Sequence, residues 1–236
     1  MLPEDFKVVK HNFLINAKSK YKYTLNELKL ICHLIANILP SDTNLKTKEV
    51  SIRDLNFIVA DSNNYSKIGK ELENLLTKPF KLPNGYIVNW FSSLKYKNAV
   101  IEYSFDTRLK EYLLDLNSNF TAYHLTNILN LKSSYSIRIF ELLFQLKDKG
   151  FRTMFLNDFK ECLGIPDSYS NKDIRRLIEN AQKDLQLHTT IQFEFKLIKK
   201  GRAFYKIEFI IKNNKKIKGV SYSLANNQEK TIKHKA

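Results

Sequence analysis

The sequence predicts an α+β chain, mostly helical, built as two halves on one plan. Three observations predict it. Amphipathic stretches with helical periodicity dominate both halves, and each half closes on two alternating stretches that read as a β-hairpin. Short motifs also recur at one spacing: Asp54 and Tyr65-Ser66 return as Asp158 and Tyr169-Ser170, 104 residues on.

The first half opens with a helix start. Thr24 and Glu27 form a capping box ahead of "LNELKLICHLIANIL", whose Leu28, Ile31, Leu34, Ile35 and Ile38 make a core-facing stripe. Ser51 with Asp54 predicts a short helix carrying Leu55, Ile58 and Val59. Tyr65 to Lys78 reads as a third helix with Ile68, Leu72, Leu75 and Leu76 inward, stopped by Pro79, Pro83 and Asn84-Gly85. "YIVNWFSSLKYKNAVIEYSF" then reads as two strands joined near Lys97-Asn98, and "DTRLKEYLLDL" as an added connecting helix.

The second half repeats the order. "SSYSIRIFELLFQLKDKG" is a helix apolar almost all round, with Gly150 as its stop. "FLNDFKECLGI" is a short helix, "PDSYS" a turn, and "SNKDIRRLIENAQKDLQ" the third helix, opened by Ser170 with Asp173. "TTIQFEFKLI" and "AFYKIEFIIK" alternate as strands, with Ile191, Phe193, Phe195 and Leu197 on one face and Tyr205, Ile207, Phe209 and Ile211 matching them. Their turn is "KKGR".

Helix, helix, helix and hairpin, given twice, is the winged-helix plan. We expect tandem winged-helix domains at 1–117 and 118–212, followed by a basic flexible tail at 213–236. From residue 212 on, seven lysines face one acid, Glu229, with few bulky apolar residues to hold a fold.

Composition selects the partner. A formal net charge of +15 and a pI of about 9.6 attract polyanions, nucleic acid first. An anionic membrane comes second, but no apolar run nears the roughly 20 residues of a spanning helix. "MLPEDFKVVKHN" lacks the features of a secretion signal, so a cytoplasmic protein is expected. Cys32 and Cys162 are isolated in helical patterns, as small core residues in a reducing compartment would be.

In a helix-turn-helix the second helix of the motif enters the major groove. In the second half that helix carries its apolar residues on one side and Lys172, Arg176 and Lys183 on the other, with Arg175 at the flank and Glu179 the one acid among them. Asn171, Lys172, Arg175 and Arg176 occupy its N-terminal half. Arg bonds guanine and Asn bonds adenine bidentately, at roughly 1–3 kcal/mol of discrimination per pair. Lys183 and the wing-tip Lys199, Lys200 and Arg202 suit phosphates. The first half offers Lys67, Lys70, Lys95 and Lys97, diluted by Glu71 and Glu73. With about 6–10 phosphates neutralised, affinity should fall ~10³–10⁵-fold between 50 and 200 mM salt.

Catalytic constellations are missing from the sequence. It has no phosphate-cradling GxxxxGK[ST], and its five histidines stand singly without HxH or HExxH spacing. No enzyme activity, metal or cofactor is expected.

"VVKHNFLINAKSKYKYTLNELKLICHLIANI", "KSSYSIRIFELLFQLKDKG", "LNDFKECLGIPDSYSNKDIRRLIENAQKDLQ" and "GRAFYKIEFIIK" occur in this order. Together they resemble the replication initiators of theta-replicating, iteron-bearing plasmids, from about Val8 to Lys212. The resemblance implies two winged-helix domains binding direct repeats in double-stranded origin DNA as a monomer. It also implies opening of an A·T-rich region and recruitment of the host initiator and replicative helicase. Dimers paired through the first domain would repress the chain's own gene. Arg138, Arg175, Arg176, Gly201 and Arg202 match the family pattern, which places Arg138 among the DNA-binding candidates as a structural or phosphate-facing residue. Phe140 departs from it, standing where a tyrosine is usual, as does the helix ending "AQKDLQLHT".

From the residues alone, a winged-helix transcription repressor is the main rival. A nicking enzyme and a basic scaffold without DNA affinity are the others.

Overall fold

The computed structural model describes residues 6–55, 65–201 and 203–214, without the side chains of 65–67. The expected apolar pair Ile58 and Val59 and the tail from 215 onward lie outside the described residues.

β1 (Lys7–His11) leads into the short helix α1 (Asn12–Asn16). α2 (Leu25–Ala36) starts on the expected capping box: the Glu27 N–H donates to Thr24 Oγ1 at 3.1 Å, and the Thr24 N–H to Glu27 Oε2 at 2.8 Å. Leu28, Ile31, Leu34 and Ile35 are buried as the periodicity requires. After β2 (Lys48–Ser51) comes a 3₁₀ turn, Ile52–Leu55, where the sequence predicts the start of a short helix. α3 (Tyr65–Leu75) buries Ile68, Leu72 and Leu75. Leu76 was expected inward, but it lies past the helix end and is exposed.

The prolines and Asn84-Gly85 do more than stop α3. They build a small hairpin, β3 (Phe80–Lys81) with β4 (Ile87–Val88), turning at Gly85 with φ 92°. β5 (Phe91–Lys97) and β6 (Val100–Phe105) then form the first wing. Its turn residues, Asn98 and Ala99, take φ of 52° and 60°, the left-handed pair of a type I′ hairpin. The chain continues through α4 (Lys110–Leu113), β7 (Phe120–His124) and α5 (Thr126–Leu129).

α6 (Ser134–Phe144) is buried on nearly every side and ends before Gly150, which closes the following turns at φ 79°. The Gly150 carbonyl accepts from Ile211 N–H at 2.7 Å, tying the stop to the last strand. β8 (Phe151–Phe155), α7 (Leu156–Leu163), α8 (Asn171–His188), β9 (Ile191–Lys200) and β10 (Ala203–Asn213) complete the half.

Each expected hairpin is in fact a three-stranded antiparallel sheet. The orders, β2-β6-β5 and β8-β10-β9, are the same arrangement twice. β2, moved 104 residues along the chain, falls on 152–155, inside β8, so the sequence spacing holds for the third strands too. A second unanticipated pairing joins distant parts of the chain: β1 runs antiparallel to β7, Lys7 opposite His124. α2 packs on α6 beneath this pair, and one continuous apolar core runs through both halves.

Candidate nucleic-acid interface

α8 has the two faces its sequence predicts. Ile174, Leu177, Ile178, Ala181 and Leu185 are all buried, while Asn171, Lys172, Arg175, Arg176 and Lys183 are all exposed. Each buried aliphatic contributes ~1.5–3 kcal/mol, so the apolar side holds the helix and leaves the basic side outward. The start is fixed by a capping box, with Ser170 N–H donating to Asp173 Oδ2 at 2.9 Å and Asp173 N–H to Ser170 Oγ at 3.3 Å. The Ser170 hydroxyl also donates to Asp173 Oδ2, at 2.6 Å. It and the Ser170 N–H hold the Asp173 carboxyl below its ordinary range, so the acid belongs to the cap.

Two further contacts fix the helix body. Gln182 Nε2 donates to the Phe193 carbonyl at 2.7 Å, and buried Asp184 accepts the Lys132 N–H at 2.9 Å. The first anchors α8 to β9, the second to the segment before α6.

The wing sorts its cations. Lys199 and Lys200 are both exposed, but they serve different rings: Lys199 Nζ lies 5.6 Å from the Phe204 centroid, Lys200 Nζ 5.5 Å from that of Tyr205. Arg175 of α8 also lies over Phe204, at 5.9 Å. Lys199 therefore stands with the helix and Lys200 on the other side of the wing. Tyr205 was expected to share the inner face with Ile207, but it is exposed, because the ladder slips by one residue between Phe204 and Lys206. Arg202 lies outside the described residues.

The first half presents a weaker counterpart. Lys70, Lys95 and Lys97 are exposed, while the side chain of Lys67 lies outside the described residues. Lys95 faces Glu102 across the wing at 3.8 Å, which dilutes its charge. Glu71 is half-buried and accepts from Thr24 Oγ1 at 2.8 Å, so it belongs to the α2–α3 contact.

Of the two roles offered for Arg138, structural or phosphate-facing, the structure shows the structural one and corrects its place among the DNA-binding candidates. Its Nη2 donates to the Ile15 carbonyl at 2.8 Å, its Nη1 to Glu141 Oε2 at 2.8 Å, and its Nε to the Cys162 carbonyl at 3.3 Å. All three nitrogens are engaged inside the protein, where they hold α1, α6 and α7 together. It is not part of the basic face.

Sequence reasoning also missed what Arg138 joins. Glu141, fully buried, accepts from Lys10 and Arg138 and from the Tyr123 hydroxyl at 2.6 Å. Burial alone would raise its carboxyl, but the two cations hold it at about 2. A single acid inside "IRIFELLF" is the signal that could have found this cluster, since a buried charge demands partners. Burial also raises the Cys32 thiol, to about 11, which suits a core residue.

Comparison with known proteins decides the family. Residues 7–144 match the model described as "Initiator Replication protein, WH1", and residues 156–211 match "Initiator Rep protein, WH2". The chain belongs to the replication initiator family. It is a DNA-binding initiator of plasmid replication with two winged-helix domains, and the repressor alternative is not favoured. The initiator is 26% identical over 235 residues to a replication initiation protein of Escherichia coli, covering 91% of this chain and 72% of that one. Its fold is similar to that of the Pi initiator protein, solved in complex with iteron DNA. The TM-score is 0.71 at 17% identity, over 89% of this chain and 98% of the other. Among the described residues no His, Cys, Asp or Glu cluster could hold a metal ion. No described helix is long and apolar enough to cross a membrane.

Proposed function

We propose that the initiator binds directly repeated sites in double-stranded plasmid origin DNA, with α8 as its base-reading helix. The observation that carries the reading is the exposed basic face of α8, backed by five buried apolar residues and flanked by Lys199 of the wing. Asn171, Lys172, Arg175 and Arg176 occupy the first two turns, where a recognition helix meets base edges. Lys183, Lys199, Lys200 and Arg202 bind phosphates and set register. Lys67, Lys70, Lys95 and Lys97 form a second, weaker contact on the same duplex.

The working units are the domains at 1–117 and 118–212, with the expected tail, which begins after β10 and Asn214 and not at 213, adding sequence-independent attraction. The E. coli relative's name and the Pi initiator's iteron complex support the same assignment. The initiator acts in the cytoplasm without enzyme chemistry of its own, handing the opened origin to the host initiator and replicative helicase. A dimer of the chain represses its own gene.

Footprinting on the DNA around the chain's gene tests this. Protection of several tandem repeats of about two helical turns each is the expected result. A single protected inverted repeat at a promoter would replace initiation by repression. A covalent protein–DNA adduct formed with Mg²⁺ would overturn the non-enzymatic assignment.

A further inference from the structure

β10 keeps strict alternation from Ile207 to Ile211, with Ile207, Phe209 and Ile211 buried. Continued backward, that alternation would place Tyr205 inward and Phe204 outward. The bulge between Phe204 and Lys206 reverses both. Tyr205 turns out to meet Phe155, ring centroids 5.2 Å apart, and Phe204 comes to the side of α8. Re-aiming a side chain is what a bulge does beside a functional site.

Phe204 is thereby placed opposite Lys199 in the ladder, half-buried, with Lys199 Nζ at 5.6 Å and Arg175 Cζ at 5.9 Å from its ring centre. Both distances lie within the ~6 Å over which a ring attracts a cation. We infer that Phe204 is a positioning residue for DNA recognition, its single ring setting Arg175 of the helix and Lys199 of the wing in fixed relation. The inference rests on α8 being the recognition helix.

A ring suits this task better than a carboxylate would. It restricts the long side chains, so less rotamer freedom is lost when DNA binds. It takes up none of the guanidinium's N–H donors, so all five stay available for a base edge or phosphate. A carboxylate would bond the same donors and have to be displaced.

The test uses the full chain and two duplexes: one selected by the wild-type chain from a random pool, and a shuffled duplex of the same composition. Phe204→Leu and Phe204→Met should each lose about fivefold in affinity for the selected duplex. Affinity for the shuffled duplex should fall by no more than about twofold, since of the phosphate contacts that carry it only that of Lys199 depends on the ring. Phe204→Tyr, which keeps the ring, should restore discrimination, and thermal melting confirms that each variant is folded. In an Arg175→Ala background, Phe204→Leu should cause no further loss of discrimination. If Arg175→Ala loses discrimination while both Phe204 variants keep it, the inference falls alone. Equal loss on both duplexes also overturns it, leaving Phe204 a packing residue. If Arg175→Ala itself discriminates normally, α8 is not the reading helix and the inference falls with that assignment.

Discussion

Lys10 on β1 and Glu141 on α6 form an ion pair across 131 residues of sequence, with side chains 4% and 1% exposed. Arg138 supplies a second cation to the same carboxylate, and Tyr123 of β7 a hydroxyl. Strand β1, its partner β7 and helix α6 therefore meet at one acid. Removing one member of a buried pair strands the others' charge, at ~3–5 kcal/mol.

Glu141→Gln is accordingly expected to lower the melting temperature by about 10 °C at neutral pH, given ~2–4 °C per kcal/mol for a chain of this size. The pH profile supplies the sign. Glu141 is held at about 2 in the folded chain against an ordinary 4.5. Its stabilisation is therefore complete above the ordinary value and is lost as pH falls from there toward about 2. Melting curves between pH 7 and 3 should show wild type and Glu141→Gln converging. A constant gap would mean the carboxylate is not ionised in the fold.

Lys29 predicts the opposite limb. It is buried, its ammonium donates to the Leu129 carbonyl at 2.6 Å, and its pKa is pushed down to about 8 by burial, then by Lys132, with Asp184 opposing. Between about 8 and the ordinary 10.5 the unfolded chain holds a proton that the folded chain has released. Stability from this residue therefore rises with pH across that window. Comparing wild type with Lys29→Met at pH 7, 8.5 and 10, the difference should move in favour of wild type as pH rises. An unchanged difference would place the ammonium in water.

Gly164 and Gly201 separate two reasons for glycine. Both take left-handed φ, 62° and 64°. A Cβ on Gly164 would stand 3.0 Å from the Tyr21 carbonyl oxygen and 3.3 Å from Lys22 Cα, whereas one on Gly201 meets nothing within 4 Å. Gly201→Ala should thus cost only the ~1–2 kcal/mol of backbone strain, and Gly164→Ala clearly more. Urea unfolding of the two variants measures the order, and equal costs would contradict the close approach of residues 21–22 to the α7 end.

The split between what sequence showed and what it hid follows from range. The caps at Thr24 and Ser170, the faces of α2 and α8 and the hairpin β9–β10 are local, and periodicity alone located them. β2 and β8 escaped because strands of four and five residues hold too few alternations to register. β1–β7 escaped because its partners lie more than a hundred residues apart, Lys7 against His124. At the site, exposure of the α8 cations was legible from spacing. The contacts of Arg138 and the placement of Phe204 were not, since the first reach Ile15 and Cys162 far along the chain and the second depends on a one-residue slip in register.

The basic face itself yields a two-part prediction. If Arg175 and Arg176 read bases, Arg175→Ala with Arg176→Ala should remove discrimination between selected and shuffled duplexes, at ~1–3 kcal/mol per lost base contact. The fold should persist, because both side chains are exposed and the buried residues of α8 are untouched. Lys183 sits two turns further along the helix, beyond the base-reading end, so a phosphate is its natural partner. Lys183→Ala should weaken both duplexes alike and reduce the slope of log affinity against log salt by about one. Titrations from 50 to 200 mM salt distinguish the two kinds of contact, because a base reader changes the ratio between duplexes and a phosphate binder changes the slope. Unaltered discrimination in the double arginine variant would place the reading surface elsewhere on the chain.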